Sequence, residues 1–124
     1  MDAKSQARRG RIQELFRELA ELRVEEMVDA GKFDQTPHFS AIERSASELG
    51  KQLSREIQER ASREGVAAGQ AQAVCPTCEA VCEVTTRRRT VMGVDGSVEI
   101  TEAVADCRRC RRSFFPSADG DGVR

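Results

Sequence analysis

Cys75-Pro76-Thr77-Cys78, followed after 28 residues by Cys107-Arg108-Arg109-Cys110, decides how this chain folds. Two C-x-x-C pairs at this separation match a tetrathiolate zinc site, in which each pair forms a tight knuckle and the two knuckles face each other. The intervening segment supplies a way back. Asp95-Gly96 lies between two β-prone runs and signals a two-residue hairpin turn. The expectation is a zinc ribbon in which Cys75, Cys78, Cys107 and Cys110 hold one Zn2+ at the base of a β-hairpin. An isolated two-stranded hairpin is marginal in water, and zinc binding, worth about 10 to 16 kcal/mol in zinc-finger peptides, holds what packing cannot. Four thiolates close the coordination shell, so the metal is structural, whereas a catalytic zinc keeps one position open. The competing readings are a pair of disulfides or a redox C-x-x-C, the latter belonging to a βαβ context that this sequence lacks.

Cys82 is the fifth thiol. It reads as a spare, partly buried cysteine, with an alternative-ligand or redox role as the competing reading. His38 lies far upstream and reads as a cap or surface residue.

If Asp95 and Gly96 are the central turn residues, Val94 pairs with Ser97, Val91 with Ile100 and Arg89 with Glu102. Val91, Val98, Ile100 and Val104 then share one face, and opposite charges stand side by side. Strand alternation puts Arg87 and Arg89 on one face and Arg88 on the other.

Upstream of the cysteines the pattern is helical. Ile12, Leu15, Phe16, Leu19, Leu22, Met27 and Val28 recur at helical spacing, and Gly31 supplies a stop. A second helix starts either at Thr36-Pro37, a cap followed by a first-turn proline, or at Ser40-Ala41-Ile42-Glu43, a capping box. Its stripe is Ile42, Ala46, Leu49, Leu53 and Ile57. The short connection predicts an antiparallel helical hairpin, with helices over about 5–30 and 38–64 packed through Leu15, Leu19, Leu22, Ile42, Leu49, Leu53 and Ile57. Gly50 inside the second helix is either tolerated or permits close backbone approach. The predicted organisation is a small α+β chain: 1–64 helical hairpin, 65–74 linker or helix extension, 75–116 zinc ribbon, 117–124 flexible tail.

Composition narrows the function classes. The 124 residues carry 33% charged and only 4% aromatic side chains, and Tyr and Trp are absent. That suits helices with a narrow apolar stripe and excludes a large enzyme core. No membrane span or signal peptide is visible, and free thiols fit a cytoplasmic location. Net charge is −1, so any nucleic-acid contact must be local. Seven of the eight basic residues after position 74 lie in two clusters, Arg87, Arg88, Arg89 and Arg108, Arg109, Arg111, Arg112. One reading makes these seven phosphate contacts on DNA. The other makes them counter-charges to a zinc tetrathiolate of formal charge −2.

Cys-Pro-x-Cys, an arginine-bearing hairpin through Gly93-Val94-Asp95-Gly96-Ser97-Val98-Glu99-Ile100, and then Cys107 to Pro116 together resemble the N-terminal region of ISKra-type insertion-sequence transposases of bacteria. The resemblance is most specific over Cys75 to Pro116 and looser over residues 39–60. It implies a helical segment before a ribbon and, after Phe114-Phe115-Pro116, a catalytic domain with an acidic triad. The family usually places tyrosines before the third cysteine, where this chain has Ala103, Val104, Ala105 and Asp106. No triad can be carried over, so the expectation is a DNA-binding module without catalytic residues, binding DNA weakly. The alternative is a helical dimerisation or protein-interaction module capped by the ribbon, with a homodimer through the helices; neither reading calls for a membrane or a small-molecule substrate.

Overall fold

The computed structural model describes residues 2–116, and the predicted tail at 117–124 lies outside them. The chain is a small α+β protein in the order α1 (Ala3–Asp29), α2 (Phe39–Ala67), β1 (Gln72–Val74), β2 (Val81–Gly93), β3 (Gly96–Cys107) and β4 (Arg112–Phe114). It divides into two compact units, Met1–Gly50 and Lys51–Arg124, with α2 continuous through the division. Among the described residues no helix is long and apolar enough to cross a membrane.

In the first unit, Asp2 caps α1 by accepting the Ser5 N–H at 2.8 Å. Hydrogen bonding to that N–H holds the Asp2 carboxyl below its ordinary value. Gly31 ends the helix as expected. At φ +76 it adopts the left-handed conformation, Lys32 N–H reaches the Met27 carbonyl and Gly31 N–H the Val28 carbonyl, which is a Schellman motif. The second helix begins at Phe39, between the two expected starts, and the His38 carbonyl accepts from Ala41 and Ile42. Contact around the turn centres on buried Met27 and on Arg23, which donates to the Ser45 carbonyl at 3.1 Å and pairs with Glu26 and Glu48.

The expected packing along the stripes is not what forms. Leu15 (44%), Leu22 (57%), Ile42, Leu53 and Ile57 (57%) are exposed, while Leu19 and Leu49 are half-buried. The physical reason is visible in each unit. At the turn, Arg23 and Met27 make the contact, and from Ser54 onward α2 directs its polar side chains at the strands. Gly50 needs no special approach: a Cβ there would meet nothing within 4 Å, so the glycine is simply tolerated.

In the second unit, the four strands form an antiparallel sheet in the order β1-β2-β3-β4. Part of the expected linker is structured: residues 65–67 extend α2 and residues 72–74 form β1. The β2–β3 register corrects the expected one by two residues. Arg87 faces Glu102, Arg89 faces Ile100 and Val91 faces Val98, with Val94 and Asp95 forming the turn between Gly93 and Gly96. The primed turns that suit a two-residue hairpin loop centred on Asp95-Gly96 need positive φ at Asp95, and type I′ needs it at both residues. Here Gly96 alone turns positive, at φ +112, so the Asp-Gly step occupies the end of the turn. A two-residue shift preserves side-chain parity, so Val91, Val98, Ile100 and Val104 still share one face, with Val98 and Val104 buried.

Helix α2 closes the free edge of β3. Glu59 Oε2 accepts from the Glu99 N–H at 2.9 Å, Ser62 Oγ from the Thr101 N–H at 3.1 Å, and Ser54 and Arg55 hold Asp95 at the turn. Unpaired strand edges invite non-native pairing, and here side chains of a helix occupy two of the donors.

Candidate metal centre

The two knuckles are built alike. In the first, Cys75 directly follows β1, its N–H reaches the Ala80 carbonyl at 2.8 Å, and Glu79 after the second cysteine is left-handed at φ 62. In the second, Cys107 ends β3, its Sγ accepts the Cys110 N–H at 3.4 Å, and Arg111 is left-handed at φ 55. Each chain reversal thus depends on a non-glycine residue in a conformation that L side chains rarely adopt.

Antiparallel pairing of β1 with β2 and of β3 with β4 closes each knuckle, pairing of β2 with β3 brings the two knuckles together, and the four sulfurs of Cys75, Cys78, Cys107 and Cys110 lie within 4.8 Å of one another. The Cys78–Cys107 and Cys75–Cys110 separations are 3.5 and 3.9 Å. All four thiols are free, so the disulfide reading does not hold in this structure. A tetrahedron with metal–sulfur bonds of about 2.3 Å has sulfur–sulfur edges of about 3.8 Å. The cluster fits a four-coordinate metal ion.

Electrostatics prepare the same chemistry. Backbone N–H groups of Cys78 and Thr77 lower the Cys75 thiol, and the Cys110 N–H brings Cys107 down to about 6. Hydrogen bonding with Cys78 leads the causes that push Cys110 up to about 12. The amides stabilise thiolate at the first cysteine of each pair, which is the ligand form. Cys75 and Cys107 are buried at 3% and 2% exposure, and Cys78 and Cys110 half-buried.

Cys82 joins the small core under the site with Cys75, Ala105 and Cys107, against which Val84 and Phe114 pack. Burial raises its thiol, which donates to the Ala80 carbonyl at 3.5 Å. It lies outside the four-sulfur group and behaves as a core residue.

The seven arginines separate into two kinds. Arg87 and Arg89 both bind Glu102, at 3.0 and 2.7 Å, and Arg88 binds Glu99 at 3.1 Å. The hydrogen bond from Arg89 leads in holding the Glu102 carboxyl below its ordinary range. Arg87 also sits 5.3 Å from the Phe115 ring centre. Arg108, Arg109, Arg111 and Arg112 are exposed around the second knuckle and form no ion pair among the described residues. The expected charge pairing foretold a partner for Arg89; that Glu102 also serves Arg87, and Glu99 serves Arg88, depends on the two-residue register. His38 stays outside the four-cysteine cluster, and its backbone carbonyl accepts at the start of α2. Comparison with protein-family models, with curated proteins and with solved structures finds no match to this chain.

Proposed function

We propose that the chain is a DNA-binding zinc ribbon of the kind found in the N-terminal region of ISKra-type transposases, acting as a binding module without a catalytic residue set. One observation carries the reading: four exposed arginines without acidic partners among the described residues surround the second knuckle of a four-cysteine cluster that fits a metal ion. Zinc suits a closed four-cysteine shell in a protein with reduced thiols, because it needs no redox change and accepts tetrahedral sulfur. The ion would fix the knuckles, and the knuckles would present Arg108, Arg109, Arg111 and Arg112 to phosphates. Arg87, Arg88 and Arg89 are weaker contributors, because each must first leave a carboxylate.

Duplex binding measured against salt tests this. Four phosphate contacts give a slope of log affinity on log salt of about −3.6. Replacing Arg108, Arg109 and Arg112 with glutamine, with zinc content unchanged, is expected to flatten the slope by about 2.7. Replacing Arg87, Arg88 and Arg89 is expected to change it less. A chain that binds no duplex, or whose slope survives loss of the knuckle arginines, refutes the reading.

A second reading, a helical interaction module capped by the ribbon, is supported by the exposure of Leu15, Phe16 and Leu22 on α1.

A further inference from the structure

Helix α1 carries two kinds of unmet demand. Ile12, Leu15, Phe16, Leu19 and Leu22 recur every three or four residues and so lie on one face, where Leu15, Phe16 and Leu22 are exposed and Ile12 and Leu19 only half-buried. Much of this stripe's apolar area faces water, in a helix that at 27 residues is about 40 Å long.

The second demand is electrostatic. From Ala3 to Gln13 the helix carries Lys4, Arg8, Arg9 and Arg11 and no acidic residue; from Glu14 to Asp29 it carries six acidic residues against Arg17 and Arg23. The two segments therefore differ in sign, net +4 and net −4. This polarity opposes the helix dipole, which favours acidic side chains at the N-terminus and basic ones at the C-terminus. The first turn holds no acidic residue and the last turn no basic one, leaving the Asp2 cap as the offset at the start.

We infer that α1 pairs with the α1 of a second copy of this chain in antiparallel orientation. An antiparallel neighbour places its acidic half beside the basic half of the first helix, and the reverse, at both ends. Its apolar stripe meets the other in the middle, where Ile12 opposes Leu22 and Leu15 opposes Leu19. It also lays its dipole head to tail against the first. A parallel neighbour would set +4 against +4 and −4 against −4. Of the occupants for this face, a second copy in this orientation satisfies both the stripe and the charge pattern at once. The inference rests on the interaction reading and is independent of the arginines proposed to meet phosphate.

Sedimentation of the full, zinc-loaded chain tests it. The expected species is a dimer that weakens with added salt, as charge pairing across an exposed interface must. Leu15→Asp with Leu22→Asp is expected to give monomer with zinc retained. Lys4→Glu, Arg8→Glu and Arg9→Glu together are expected to raise the dimer dissociation constant about tenfold or more. This triple change places acidic residues at the helix N-terminus, which strengthens the isolated helix, so a lost dimer cannot be ascribed to melting of α1. Adding Glu21→Lys, Glu25→Lys and Asp29→Lys to the triple variant is expected to restore pairing. A dimer indifferent to the N-terminal reversal overturns the antiparallel arrangement. One abolished by Leu53→Asp with Ile57→Asp and not by the α1 changes overturns the α1 interface while keeping the interaction reading. A monomer throughout overturns self-association altogether.

Discussion

The strands around the cysteine cluster and the first helix solve the problem of a thin core in opposite ways. Around the knuckles, Cys75, Cys82, Ala105 and Cys107 are buried and all are small. Such a core buries little area, and beside it four sulfurs lie close enough together to hold a metal ion. Along α1 the side chains are large, with Leu15, Phe16, Leu22, Val24 and Val28 present, and they are exposed. There the apolar area exists but lacks cover within one chain. The contrast teaches that apolar content and burial are separate properties: one region is closed around a cysteine cluster with few apolar atoms, and the other has the atoms without the closure.

The strongest way to break the comparison is to deprive the proposed zinc site of its ion. Chelation, or Cys107→Ser, is expected to abolish ordered strand structure, since the ion's contribution in comparable peptides is about 10 to 16 kcal/mol. Most helical circular dichroism should persist, because neither α1 nor the first half of α2 contributes a ligand. Cys82→Ser should retain one zinc per chain by elemental analysis. Loss of metal in that variant, with metal kept in Cys107→Ser, would reverse the assignment of ligand and core thiol.

A smaller effect probes how α2 seals the sheet edge. Glu59→Ala with Ser62→Ala leaves the Glu99 and Thr101 N–H groups without their side-chain acceptors. The expected cost is about 1 to 2 kcal/mol in denaturant unfolding, because water still reaches the edge in part. Amide exchange at Glu99 and Thr101 should accelerate while exchange at their neighbours on the β2 side holds. Uniform acceleration along β3 would mean that the helix contributes packing rather than these two bonds.

The smallest effects sharpen the contrast through glycine. Glu79→Gly and Arg111→Gly each relieve a left-handed non-glycine residue at a knuckle, and each is expected to stabilise the ribbon by about 0.5 to 1 kcal/mol. Gly50→Ala should stabilise α2 by a similar amount, about 0.8 kcal/mol, since nothing obstructs the added methyl. Thermal melts with zinc in excess separate these signs. Destabilisation by Gly50→Ala would point to a contact that the free chain does not make by itself.

Much of the architecture was legible in the residues. The paired C-x-x-C spacing identified the four clustered sulfurs, helical periodicity located α1 and α2 to within a few residues, and Gly31 marked the stop that a Schellman motif then uses. These are local signals, set by ligand spacing, 3.6-residue recurrence and backbone stereochemistry. The short strands β1 and β4 were not legible. Three residues carry too little alternation to register, and they exist because the knuckles return the chain alongside β2 and β3.

The amino-acid sequence by itself determined that four cysteines would share one site, that two long helices would precede it, and which strand residues would face the same way. Tertiary structure decided the rest. It chose the two-residue register through a single positive φ at Gly96, paired Arg87, Arg88 and Arg89 with Glu99 and Glu102 while leaving the knuckle arginines open, and turned the polar side chains of α2 onto the β3 edge. Spacing along a chain specifies ligands and faces because these depend on near neighbours. Which charge meets which, and which stripe stays uncovered, depends on distances between segments that no local pattern encodes.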